Sequence, residues 1–426
     1  PKRVANQIMV TIPAQRDIID RRRLATAIDD LASQEPPRST KTRAAVLALV
    51  AETLDHGRRA IQTQFETGRG GLDAARANAF LIDQIVRALY DHASHHVYRA
   101  TNPTAQERLS MVAVGGYGRS EMAPYSDVDL LFLYPYKLTA WGEQVVECLL
   151  YFLWDLGLTV GQSTRSVDEC IRLAKSDVTI RTAVLEARYV WGDRALFDEL
   201  HTRFSKEIVE GTGHDFVEAK LLERSQRHKR LGDSRYLVEP NMKDGKGGLR
   251  DLHTLFWIAK YVHDIRDVEG LVGLGVLTAA ELRRFRRAEN FLWAVRCTLH
   301  YTAGRAGERL TFDVQPDISR QLAYRDKGHT SSVERFMKHY YLVAKEVGDL
   351  TRIFCASLEH QQRRKPMLAL SRLGLFRRET DGFADEGSRL NVADPAMFEN
   401  DPVAMIRLFA VAQEHNRDIH PDAIKY

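Results

Sequence analysis

Val114-Gly115-Gly116-Tyr117-Gly118-Arg119-Ser120-Glu121, followed shortly by Tyr125-Ser126-Asp127-Val128-Asp129-Leu130, is the stretch on which the fold turns. Residues 110–114 form a short apolar run broken by the glycine pair, the pattern of a buried strand. Val128–Tyr134 is a second apolar run, closed by Pro135. Alternate side chains of a strand share a face, so Asp127 and Asp129 project together while Val128, Leu130 and Phe132 take the other side. Two neighbouring carboxylates repel, and one takes up a proton unless a cation lies between them. Mg²⁺ favours one or two carboxylates completed by substrate phosphate oxygens, and paired ions of this kind stabilise both oxygens of an in-line displacement. Gly115 and Gly116 let backbone N–H groups approach an anion without a Cβ in the way. Arg119 offers a forked phosphate contact, and Ser126 adds a hydroxyl beside the carboxylates. A DxD or a GG alone is an ordinary turn; the two together, between apolar strands, are a chemical signature.

Outward from this centre, residues 1–40 read as an arm with one helix over 18–32, and the helical spacings of 41–66 and 72–98, separated by Gly68, Gly70 and Gly71, predict a helical hairpin. Residues 140–156 return to helical spacing, and 158–164 predict a third strand. From about 166 onward the pattern is almost wholly helical. Leu282, Phe285, Leu292, Val295 and Leu299 make one apolar stripe; Val333, Phe336, Tyr340, Val343, Val347 and Leu350 make another. Both read as core. The expected class is α+β: a small α/β unit over 41–192 with its leading hairpin, a helical domain over 193–365, and a Gly-turn hairpin and last helix within 366–426.

Composition narrows the function. The chain has 426 residues, 44% hydrophobic and 28% charged, enough for a folded core. The apolar run at 149–154 falls far short of the about 20 residues a membrane helix needs, so no membrane role is expected. Lys and Arg number 61 against 57 Asp and Glu, too small an excess to indicate a nucleic-acid partner. Cys148, Cys170, Cys297 and Cys355 are scattered without a CxxC pair, which fits free thiols in a reducing cytoplasm. Pro1 stands where a Met would begin a chain, so further residues are expected upstream.

A second block strengthens the first: Glu239-Pro240-Asn241-Met242-Lys243-Asp244-Gly245-Lys246-Gly247-Gly248-Leu249-Arg250-Asp251-Leu252-His253. Residues 221–250 hold eight Lys/Arg against four Asp/Glu, and Lys243, Lys246 and Arg250 sit where a Gly-containing loop could close over phosphates. Asp251 reads as the N-cap of the helix that follows. Arg283, Arg284, Arg286 and Arg287 read as a solvated helix face.

The Gly-Gly, ten residues, Asp-x-Asp arrangement resembles the nucleotidyltransferase superfamily that includes DNA polymerase β. The wider strings at 115–129 and 239–253, with Trp154-Asp155-Leu156-Gly157-Leu158, Val160-Gly161 and Arg165, look more specifically like the PII uridylyltransferases, over roughly 40–420. That resemblance implies a polymerase-β-like core followed by helices, and transfer of UMP from UTP to a tyrosine of a PII nitrogen-regulatory protein with release of pyrophosphate. It implies Mg²⁺ on Asp127 and Asp129, and a triphosphate cradled by Gly115, Gly116 and Arg119. Many polymerase-β relatives carry a third carboxylate on a later strand; here 158–161 has none, and Asp155 and Asp168 flank the strand without filling the role. Full-length members add a metal-dependent HD hydrolase that removes UMP, then ACT domains. The dipeptides His214-Asp215 and His263-Asp264 lack the further ligands such a hydrolase needs, so UMP removal is not expected from this chain. Two other readings share the residues: a nucleotidyltransferase acting on RNA or a small molecule, and a regulatory module that binds nucleotide or PII without turnover.

Overall fold

Helix-capping chemistry marks out the first part of the chain. In the computed structural model, which describes residues 15–100, 106–363, 378–380, 382–385, 389–392, 396–415, 417–419 and 423, α1 (Arg21–Gln34) begins at Asp20, whose carboxylate accepts from the Arg22 and Arg23 amides. In α2 (Thr40–Glu66), capped by Ser39, the buried positions Val46, Val50, Leu54 and Ile61 form one stripe. α3 (Gly71–His92) is buried along most of its length, packed between α2 and the helix Ala279–Ala303. Its buried residues lie on every side of the helix, the polar Asn78, Asp83 and Gln84 among them, so α3 runs through the interior.

The sheet follows. β1 (Ser110–Ala113) and β2 (Val128–Tyr134) are antiparallel neighbours. α4 (Ala140–Asp155) then carries the chain to β3 (Val160–Ser166), which lies parallel to β2. After α5 (Val178–Leu185), β4 (Arg188–Gly192) pairs antiparallel with β1, so the strand order is β3-β2-β1-β4. β4 corrects the expectation of an almost wholly helical chain beyond 166. The expected alternation on β2 holds: Val128, Leu130 and Phe132 join Met111 and Ala113 against the helical hairpin side, while Leu131 and Leu133 join Val112 against Val167, Cys170 and Leu196. Both sheet faces are therefore covered.

The remaining long helices are α6 (Gly213–Arg230), α7 (Leu249–His263), α8 (Ala279–Ala303) and α9 (Ser332–Arg363). α8 starts with a capping box between Thr278 and Glu281. The two apolar stripes read from sequence, on α8 and α9, pack inward, and one core runs from Ile18 through the hairpin and sheet to Phe354. The architecture is α+β, helical with a small mixed sheet. Short strands at Arg378–Thr380, Phe383–Asp385, Arg389–Asn391 and Asp418–Ile419 form a second sheet that packs with the helix Val403–Glu414 around Phe383, Leu390, Phe398 and Leu408; the start of the expected hairpin, 366–377, lies outside the described residues. Among the described residues no helix is long and apolar enough to cross a membrane.

Candidate functional site

β1 runs into the glycine pair and turns sharply. Gly115 takes φ +59°, a left-handed conformation that suits glycine, and the Gly118 and Arg119 amides close a single helical turn onto the Val114 and Gly115 carbonyls at 2.9 and 3.2 Å. The Val114 amide donates to the Asp129 carbonyl at 3.1 Å, which brings this turn beside the start of β2. Asp129 is the second residue of β2 and faces Gly161 on β3. Its carboxylate lies in a slot between two glycines: a Cβ on Gly115 would come within 3.0 Å of Oδ2, and one on Gly161 within 2.4 Å of Oδ1. Asp127 lies just ahead of β2 and is exposed. Burial, and next the charge of Asp127, push the Asp129 carboxyl above the ordinary aspartate range, against the pull of Lys243 and Arg119. Neither Asp127 nor Asp129 has a side-chain hydrogen bond or ion pair among the described residues, so their oxygens are open to a ligand.

The Gly115 turn also forms one wall of an open cavity of about 570 Å³. The opposite wall is cationic: Lys220, Arg227 and Arg230 from α6, and Arg250 from α7. Trp257 on α7 lines it too, with the Lys220 ammonium 4.3 Å and the Arg250 guanidinium 5.4 Å from its ring centre. Carboxylates partly neutralise this wall. Lys220 lies 2.5 Å from Glu223, and Arg250 lies 3.2 Å from Asp244. Arg230 is exposed and has no carboxylate within ion-pair range among the described residues. Lys220, Arg227 and Arg230 were not singled out in the sequence. Their spacing of seven and three, which puts them on one helix face, is the signal that marks them.

The sequence-derived residues divide between this site and its support. Gly115 and Arg250 line the cavity, and the Lys243 charge acts on Asp129 while its ammonium lies 3.6 Å from Glu308. Gly116 sits in the same turn. Arg119 lies instead in the interior, between Glu186 at 2.7 Å and Glu121 at 3.2 Å, with its guanidinium 5.8 Å from Trp257. The Ser126 hydroxyl accepts from the Ala123 amide at 3.1 Å and braces the turn before Asp127. Lys246 is engaged by the side chain and carbonyl of Asp233 at 2.8 and 3.2 Å, away from the cavity lining.

Asp251 corrects its expected role as N-cap: Gly248 holds that position, and Asp251 stands inside the first turn, fully buried. Its carboxylate accepts from the Gly247 amide at 2.8 Å, from Arg227 at 2.5 Å and from His228 at 2.9 Å, which locks α6 to the glycine-rich loop. Against the cost of burial, those partners hold its carboxyl below the usual aspartate range. Of the flanking acids, Asp155 pairs with Arg43 and Asp168 with Arg203. Glu186, just before β4, lines the cavity together with Gly115; one of its oxygens accepts from Arg119, and the other is buried without a hydrogen bond among the described residues. His214-Asp215 is exposed at the start of α6, and His263-Asp264 closes α7. Among the described residues no three His, Cys, Asp or Glu side chains converge as a metal cluster. Arg284 and Arg286 pair with Glu346 and Glu269, each at 2.6 Å, while Arg283 and Arg287 are exposed on α8. Burial pushes the Cys170 and Cys297 thiols up to about 12.

Comparison with known proteins bears on the same residues. The family described as GlnD PII-uridylyltransferase matches residues 215–355, from α6 into α9. A bifunctional uridylyltransferase/uridylyl-removing enzyme of Azospirillum brasilense is 53% identical over 416 residues, covering 97% of this chain and 44% of that protein. The corresponding enzyme of Rhodospirillum rubrum is 53% identical over 98% of this chain and 45% of its own length. That of Novosphingobium aromaticivorans is 52% identical over 97% and 45%. The chain thus spans less than half the length of these relatives.

Proposed function

The chain belongs to the family of bifunctional uridylyltransferase/uridylyl-removing enzymes, and on that premise we propose that it transfers UMP from UTP to a tyrosine of a PII signalling protein and releases pyrophosphate. The observation that carries the reading is the Gly115 turn: one side clears the Asp129 carboxylate, and the other forms a wall of the cationic cavity. The glycine turn between antiparallel strands, with acids entering the second, supports a polymerase-β-like core.

The donor set fits Mg²⁺. Two carboxylates without other partners among the described residues, one with its proton affinity raised by burial and by the charge of the other, suit a hard divalent ion whose remaining ligands are phosphate oxygens and water. Bound there, the ion would supply charge neutralisation at the α-phosphate and on the departing pyrophosphate. Arg230 and Arg250 hold the β- and γ-phosphates by charge and forked hydrogen bonds, Lys220 adds charge, and Arg227 keeps this wall in place through Asp251. The Gly115–Gly116 backbone allows close approach of the triphosphate. The acceptor's phenolic oxygen forms the new bond to the α-phosphorus, the bond to the bridging oxygen breaks, and the phenolic proton leaves to solvent. Lys243, its own proton affinity lowered by burial and by Arg296, adds positive charge beside Asp129. Catalysis of this kind rests on positioning and preorganised charge. Arg119 serves by holding Glu121 and Glu186, not by touching phosphate. Among the described residues neither HD dipeptide has a ligand set around it, so removal of UMP is not assigned to these residues. The cytoplasm, where UTP and Mg²⁺ reside, is the compartment that suits this chemistry.

The test is incubation with PII, Mg²⁺ and each labelled nucleoside triphosphate, read by the mass of PII. Addition of UMP from UTP, lost in Asp129→Asn, is expected. Unchanged transfer by Asp129→Asn overturns the site; UTP binding without turnover on any PII makes the chain a binding module.

A further inference from the structure

An exposed apolar patch lies at the far end of the segment that delivers Lys243 to Asp129. Tyr236, Val238 and Phe312 are each 60% exposed or more, although they stand on ordered backbone. The Tyr341 hydroxyl donates to the Leu237 carbonyl at 3.0 Å, Gln315 Nε2 to the Val238 carbonyl at 2.9 Å, and the Phe312 amide to Glu239 Oε1 at 3.0 Å. The Tyr236 and Tyr341 rings meet edge to face at 5.9 Å. These bonds fix 236–239 against the start of the helix Gln315–Gln321 on one side and α9 on the other, so the patch is a built surface.

The chain continues from the patch to the catalytic side without a break. Leu310 donates to the Pro240 carbonyl at 3.0 Å, Asn241 bridges Arg309, and Met242 donates to the Glu308 carbonyl at 2.8 Å. Lys243 lies five steps along the chain from Val238, a span of at most about 18 Å. Beside the patch on α9, Leu342, 56% exposed, opens onto a groove of about 340 Å³ lined by Lys327, Arg335 and Lys338 with no carboxylate among its lining residues. The nearby acids Asp326 and Glu334 are taken up by the amides of Ser332 and Ser331.

We propose that the surface formed by Tyr236, Val238, Phe312 and Leu342, with its rim of Lys327, Arg335 and Lys338, is where the protein acceptor docks. Aromatic and aliphatic anchors with a charged rim are the usual anatomy of a protein–protein contact. The cationic rim calls for a partner whose contact surface is acidic around an apolar centre. This inference rests on the transfer of UMP to a protein and names the surface that holds that protein.

The experiment is steady-state transfer in the full chain, with PII and UTP varied separately, for wild type, Val238→Asp, Phe312→Asp and Lys338→Glu. A rise of about 10-fold or more in the KM for PII, with kcat and the KM for UTP unchanged, is expected for each. Lys338→Glu should also weaken the salt dependence of that KM. An unchanged KM for PII in variants that keep their thermal midpoint overturns the docking surface while leaving the transfer reaction standing. A fall in thermal midpoint with PII affinity intact identifies the patch as a contact within the protein and likewise overturns it. A wild-type protein that modifies no PII removes the transfer reading itself.

Discussion

Gly161 on β3 faces Asp129 on β2, and a methyl group at Gly161 would lie 2.4 Å from Asp129 Oδ1. The slot that leaves this carboxylate free is therefore made by a missing side chain on the neighbouring strand. Gly161→Ala must push the carboxylate from its position without adding a charge or a polar group. Transfer should fall by about 10-fold to 100-fold, since small misplacements at a reacting centre cost that much. The half-exposed β3 should tolerate the methyl, with the thermal midpoint close to wild type. Parallel transfer assays and thermal melts check this, and full activity in Gly161→Ala would show that Asp129 does not need its present position.

Asp127→Asn and Asp129→Asn each remove one negative charge from the pair. Loss of about 100-fold or more in kcat is expected from either, in the range found when a single preorganised group is removed from a transition state. UTP binding without Mg²⁺ should hold or tighten, because less negative charge faces the triphosphate. Calorimetric titration of UTP with and without Mg²⁺ distinguishes this from a general loss of structure.

The strand pair with Asp127 and Asp129 was legible because a period of two is visible within seven residues, and α2, α3, α8 and α9 because their stripes repeat over many turns. β4 was not: Arg188–Gly192 has five residues, and its place at the sheet edge comes from pairing with β1, far back in the chain. The role of Arg119 was hidden for the same reason, since its partner Glu186 is 67 residues away. Asp251 looked like a cap because it opens a helix after glycines; what decides its role is α6, which brings Arg227 and His228 onto it. Sequence reading found the acids that face a ligand and missed the ion pairs that hold the scaffold, because those pairs join distant segments.

Arg119 and Arg230 should separate support from binding. Arg119→Met leaves Glu186 and Glu121 buried without their cation, which costs about 3–5 kcal/mol of stability. Arg230→Ala removes an exposed side chain from the cavity wall and should leave the thermal midpoint unchanged while raising the KM for UTP by about 10-fold. Urea melts and transfer kinetics on both variants test the division; a stable Arg119→Met with weakened UTP binding would return Arg119 to the nucleotide.

His253 on α7 should set part of the acid sensitivity of the fold. Burial, reinforced by the Arg119 charge, pushes its imidazole down to about 3, although Glu121 lies 3.6 Å away. Glu121 is held at about 2, where the neighbouring His253 imidazole and the Arg119 charge outweigh its own burial. A base with a depressed pKa in the folded state binds its proton more readily when unfolded, so acid favours unfolding. For His253 that stability is complete above about 6.5 and is lost as the pH falls toward about 3. The carboxyl of Glu121 acts in the same direction at lower pH, between 4.5 and about 2. His253→Gln fills the same space with a group that does not titrate. Urea melts at pH 7.5, 6, 5 and 4 should show wild type losing stability relative to His253→Gln by about 1 kcal/mol or more across this window. Parallel stability curves for the two proteins would mean that the imidazole is already charged in the folded state and paired with Glu121.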